Sequence, residues 1–168
     1  TQEAINAGVQ VIYQDFSIFP NLSVIENIAF NQALRKKRRF VNKKEFREIA
    51  EHALSKINIE MDLDARMGEL PVADKQLVAI ARALLDDSRL LIMDEPTTAL
   101  DLYYKDNIQQ WLMQYRSMNG IVLLTSHDEN EILSCDRCLI MKQGKLTELT
   151  GEDLTIEEIR KEIITPDK

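Results

Sequence analysis

The chain has 168 residues, 45% of them apolar, with 28 acidic against 21 basic side chains and a formal charge of -7. That length and apolar share suit a packed core and exclude a disordered chain, while the acidic balance argues against nucleic acid as a partner, because phosphate backbones reward Lys and Arg. No apolar run approaches the roughly 20 residues that cross a bilayer and Thr1-Gln2-Glu3 opens no signal peptide, so the expectation is a soluble, intracellular chain that can still dock on a membrane protein.

Thr1 to Gly8 reads as a short helix stopped by glycine. The β-branched run Val9-Gln10-Val11-Ile12-Tyr13 then predicts a strand ending at Gln14-Asp15, with Pro20-Asn21 as the turn of the loop that follows. Ser23 with Glu26 three residues later predicts a capping box, and Val24, Ile25, Ile28, Ala29 and Leu34 fall at helical spacing. The run Arg35-Lys36-Lys37-Arg38-Arg39 reads as a solvated linker, with acidic headgroups or a partner as the alternative. Asn42 caps a second predicted helix to about Ile57, whose stripe is Phe46, Ile49, Ala50, Ala53, Leu54 and Ile57; His52 lies off that stripe. After a polar connection, Asn58 to Gly68, a third helix begins near Ala73 or Asp74 and runs through Leu85.

Leu90-Leu91-Ile92-Met93 is a continuous apolar run that ends in Asp94-Glu95 and is closed by Pro96. It predicts a strand buried on both faces of a parallel sheet. Asp101 caps the next helix, to about Met118, with Ile108, Trp111, Leu112 and Tyr115 inward. Ile121 to Thr125 predicts another buried strand, ending at Ser126-His127-Asp128. A short helix from Glu129 to Leu133, two strands joined at Gln143-Gly144, and a helix capped by Thr155 complete the chain. Strand-helix-strand order predicts an α/β fold with a mostly parallel sheet, interrupted by a helical lobe.

Parallel sheets place chemistry at the carboxyl ends of their strands. Two adjacent acids at such a place are costly unless a cation or a reacting proton occupies them. Asp94-Glu95 has the Walker B pattern of phosphate-handling ATPases, in which one acid holds magnesium and the next positions or deprotonates a water. Cys135 and Cys138 form a Cys-x-x-Cys pair, but supply only two ligands. The pair is read as reduced, partly buried thiols rather than as a redox or zinc site.

Taken together, Gln14, the segment Leu70 to Gln76, Asp94-Glu95, Asp101 and His127 follow one order. That order resembles the ATP-binding subunit of ABC transporters over essentially the whole chain. Four motifs in register carry the resemblance where no single one would. Tyr13-Gln14-Asp15-Phe16 and Phe19 to Ile28 look most like the sugar-importer branch. The resemblance implies a P-loop NTPase-like core in pieces 1–15 and 88–150, an α-helical subdomain 16–87 and a C-terminal segment 151–168. It implies ATP and Mg2+ as cofactors, with Asp94 holding magnesium through a water, Glu95 polarising the attacking water, and His127 bonding the γ-phosphate. It also implies that Gln14 touches the magnesium and that Asp101 sits at a dimer interface, although a plain helix cap accounts for Asp101 as well.

Two departures from the family pattern stand out. None of the five glycines belongs to a Gly-x-x-x-x-Gly-Lys-Ser/Thr loop, whose N–H groups and lysine cradle phosphates. The expectation is therefore a piece of a larger protein, lacking its front strands and P-loop and inactive alone. The signature Leu-Ser-Gly-Gly-Gln stands as Leu70-Pro71-Val72-Ala73-Asp74. Proline has no N–H to give, Val72 and Ala73 add bulk where glycine permits close approach, and Asp74 adds a negative charge. With Gln76 just behind, this segment would complete a partner's nucleotide site poorly. The expected whole is an ATPase subunit powering import, of sugar by this resemblance, on the cytoplasmic face of the membrane. Its partners would be a second ABC ATPase domain and transmembrane permease subunits. A nucleotide-binding regulatory half with little hydrolysis and a non-transport ABC-type ATPase are the alternatives.

Overall fold

The computed structural model describes residues 3–4, 7–13, 18–35, 42–86 and 88–164, apart from the side chains of 31 and 33–35. They form two compact units, 1–125 and 126–168. Gln14, most of the basic run and several residues of the first predicted helix lie outside the described residues. Glu3 and Ala4 are helical, and the Ala7 N–H bonds the Glu3 carbonyl. Gly8 then takes φ 80, a left-handed conformation that favours glycine.

In the first unit, β1 (Val9–Ile12), β2 (Leu90–Asp94) and β3 (Ile121–Thr125) form a parallel sheet in that order. Its register sets Ile12 beside Met93, Met93 beside Leu124, and Asp94 beside Thr125. Between β1 and β2 come α1 (Val24–Arg35), α2 (Lys43–Ser55) and α3 (Val72–Ala83); α4 (Leu102–Ser117) links β2 to β3. The predicted capping box is present: the Ser23 N–H donates to Glu26 Oε2 at 2.8 Å, and the Glu26 N–H to Ser23 Oγ at 3.3 Å. Asn42 caps α2 through the Lys44 N–H, and the predicted α2 stripe enters the core, with Ile49 packed against it.

The same core takes Ile28, Leu77, Ile80, Leu91, Met93 and Ile108, all without exposed surface. Asn27 is buried among these apolar groups because its amide is fully used: it accepts from the Phe19 N–H and donates to the carbonyls of Phe19 and Ser23. That side chain fixes the loop ahead of α1. The loop's backbone then bonds the chain that leads into α3, with the Val24 N–H on Ala65 O and the Met67 N–H on Leu22 O. The connection expected as merely polar therefore buries Ile59, Leu63 and Met67.

One expectation fails. β2 and β3 are not buried on both faces. Leu91 and Met93 are buried on the helix side, whereas Leu90 and Ile92 are half-buried, and Ile121 and Leu123 on β3 keep 63% and 52% of their surface. Among the described residues of the unit, the apolar core forms on one side of the sheet. Burial therefore alternates along β2 and β3 although their residues form solid apolar runs.

The second unit holds α5 (Glu129–Leu133), the antiparallel pair β4 (Arg137–Lys142) and β5 (Lys145–Thr150), and α6 (Ile156–Ile164). Gln143 and Gly144 both take positive φ, 48 and 78, as a tight two-residue hairpin requires. Thr155 caps α6 through the Glu158 N–H. Among the described residues, no helix is long and apolar enough to cross a membrane.

Candidate functional site at the end of strand β2

Asp94 is the last residue of β2 and is exposed. Its neighbour across the sheet, Thr125, ends β3 and donates its hydroxyl to Asp94 Oδ1 at 2.6 Å. The same hydroxyl accepts from the Glu95 N–H at 3.2 Å, and the Thr125 carbonyl lies 3.1 Å from that N–H. One threonine thus orients the Asp94 carboxylate and anchors the backbone of Glu95. Glu95 sits at φ 46, a left-handed conformation that costs a non-glycine residue about 1 kcal/mol and persists only where its surroundings hold it. The chain therefore leaves the strand line at Glu95, and Pro96 and Thr97 are buried beneath the turn.

The turn is held from below by α3. Gln76 is 4% exposed; its Nε2 donates to the Glu95 carbonyl at 3.1 Å, and its Oε1 accepts from the Ala99 N–H at 3.3 Å. Thr98 Oγ1 closes the turn on Glu95, at 3.3 Å from its carbonyl and 3.4 Å from Oε2. Gln76 was expected among the nucleotide contacts. Its amide is instead spent inside the protein, where it braces Glu95.

The segment Leu70 to Asp74 is built differently. Leu70 and Pro71 are extended, and Pro71 occupies the cap position of α3 without any side-chain hydrogen bond to the helix. Pro71 and Val72 are exposed, Val72 at 56%, while Ala73 and Asp74 are half-buried. Asp74 places a carboxylate in the first turn of α3, where the helix dipole already attracts negative charge. Asp101 caps α4, accepting from the Tyr104 N–H at 3.1 Å, and is exposed.

His127 follows Thr125 by two residues and is exposed in the second unit. Its neighbours there are fixed: Ser126 Oγ donates to Glu131, and the Asp128 N–H donates to Ser126 Oγ at 3.0 Å. The structure thus joins Asp94, Glu95 and Gln76 in one network with Thr125, with Leu70 to Asp74 at the start of α3, Asp101 at the start of α4 and His127 in the second unit. Gln14 lies outside the described residues. Cys135 and Cys138 are free and half-buried. Burial raises both thiol pKa values, and at Cys135 the other thiol adds to the shift, so both stay protonated at neutral pH and are poor nucleophiles.

Thr125 and Thr98 had no predicted role. The signal for Thr125 was available: aligning the ends of two parallel strands places its hydroxyl opposite Asp94. The signal for Thr98 is weaker, because it depends on the turn geometry.

Residues 1–98 match the family model described as ABC transporter. A ribose import ATP-binding protein RbsA from Hahella chejuensis is 33% identical over 159 residues, which are 94% of this chain and 32% of that protein. The namesake from Bacillus licheniformis is 30% identical over 168 residues, 97% of this chain and 34% of the relative. An uncharacterised ABC transporter ATP-binding protein, YdcT of Escherichia coli, is 32% identical over 143 residues, 84% of this chain and 41% of that protein. Among solved structures, a dimeric ATP-binding cassette in a post-hydrolysis state bound to ADP and Pi superposes with a TM-score of 0.78 at 26% identity, covering 89% of this chain and 65% of that one. The chain spans about a third of the length of the ribose-import relatives.

Proposed function

We propose, from the premise that this chain belongs to the ABC transporter family, that it forms the hydrolytic part of an ATPase that powers import. The observation that carries the proposal is the braced pair of acids at the end of β2. Asp94 offers an exposed carboxylate whose direction Thr125 fixes. A single acid with room for waters fits magnesium, which keeps several of its own waters. When bound, that ion supplies positive charge to the terminal phosphates of ATP. Glu95 polarises the attacking water and takes up its proton, and its backbone is held so that the carboxylate does not drift. His127 and Gln14 complete the contacts to phosphate and metal. Leu70 to Asp74 face the nucleotide of a second ATPase domain, near Asp101, and bind its phosphate weakly because Pro71 withholds an N–H and Asp74 repels an anion. The ribose-import relatives support a sugar as cargo and a membrane permease as partner, on the cytoplasmic side of the membrane.

The altered Leu70 to Asp74 segment favours one second reading, a regulatory half that binds nucleotide and hydrolyses little. ATP turnover of the native gene product, measured with and without its membrane partner, separates the two. Magnesium-dependent turnover that rises with the partner is the expected result. Tight nucleotide binding without turnover would favour the regulatory half, and no nucleotide binding would overturn both.

A further inference from the structure

Gln76 is the only residue of α3 whose side-chain hydrogen bonds, among those described, reach the turn that carries Glu95. It lies four residues after Val72, or about 6 Å along the helix. The end of α3 at Leu70 to Asp74 and the acid of the turn are therefore separated by little more than one helical turn and one buried amide. Both ends of that amide are engaged, and the residue is 4% exposed. An amide in this place is costly to bury unless both bonds are made, so a shift of α3 against the turn must either carry Glu95 with it or break those bonds.

We propose that Gln76 is a positioning residue that couples the start of α3 to Glu95. The inference rests on the functional reading above, in which Leu70 to Asp74 touch the nucleotide of one composite site while Glu95 serves the other. Within one subunit, the two sites then share a mechanical link. When α3 settles on a phosphate, Gln76 draws on the Glu95 carbonyl and the Ala99 N–H, and the left-handed Glu95 backbone is set for its own site. Thr125 holds the N–H side of Glu95 throughout. Gln76 moves the carbonyl side.

The test compares the native gene product with Gln76→Met, which keeps the volume and removes both hydrogen bonds. Amide hydrogen exchange is followed at 72–76 and at 95–99, with and without ATP and magnesium, alongside the rate and cooperativity of ATP hydrolysis. In the unaltered protein, nucleotide slows exchange in both segments. In Gln76→Met, protection at 72–76 remains and the added protection at 95–99 is lost. The expected kinetic companion is a kcat lower by about tenfold, the scale of a lost buried hydrogen bond, with KM for ATP little changed and the Hill coefficient falling toward one. If nucleotide still protects 95–99 in Gln76→Met, or the Hill coefficient stays as in the unaltered protein, the link is refuted. If nucleotide protects neither segment of the unaltered protein, the functional reading fails first and the link falls with it.

Discussion

The turn after β2 and the segment before α3 meet through one side chain, Gln76, yet they are held in different ways. The turn is fixed on every side: Thr125 takes the Glu95 N–H, Gln76 and Thr98 take its carbonyl, and Pro96 and Thr97 lie buried beneath it. The Leu70 to Asp74 segment starts a helix with no side-chain cap and shows Val72 to solvent. Behind both stands the same apolar core, which includes Leu77, Val78 and Ile80 of α3 and Leu91 and Met93 of β2. Fold and chemistry are thus separable here. The helix is packed mainly through Leu77, Val78 and Ile80, whereas the residues proposed to meet a phosphate lie at its start, where Leu70 and Ala73 pack against the same core.

The largest effect that would break the comparison comes from the shared core. Met93→Ala removes a fully buried side chain just before Asp94. We expect a loss of about 2–5 kcal/mol, read as faster native-state hydrogen exchange along β2 and β3. A smaller effect sharpens the account of the braced turn. Thr125→Val keeps the shape and removes the hydroxyl shared by Asp94 and Glu95, so turnover in the native gene product should fall about tenfold, as for a hydrogen bond to a charged group. The smallest effect bears on the bare segment. Asp74→Gln withdraws a negative charge from the first turn of α3, at a cost to the helix of about 0.3–1 kcal/mol. Nucleotide affinity at the composite site should rise by the equivalent factor, about two- to fivefold, in an equilibrium binding titration.

Much of this was legible from local sequence. The capping box at Ser23, the caps at Asn42, Asp101 and Thr155, and the hairpin at Gln143-Gly144 each depend on residues within four positions of one another. The order of motifs was enough to place the chain in its family, as the family match bears out. What sequence left hidden depends on packing between distant segments. Nothing local to Gln76 tells that its amide is buried against residues 19 and 23 positions away, and Asn27 is buried for the same kind of reason. The open side of the sheet was missed because an apolar run does not report how many of its faces are covered. Gly120 is a middle case: a glycine just past Met118 is a readable helix stop, but nothing local tells that a Cβ there would run into the Tyr115 ring.

The account stands on Glu95 acting on the water that attacks ATP. The direct test is single-turnover hydrolysis by the native gene product carrying Glu95→Gln, which keeps the size of the side chain and removes its basicity. We predict that hydrolysis falls by at least about 100-fold, as loss of a general base entails, while nucleotide binding is retained. Hydrolysis at the unaltered rate would contradict the assignment of Glu95 and, with it, the role given to the end of β2.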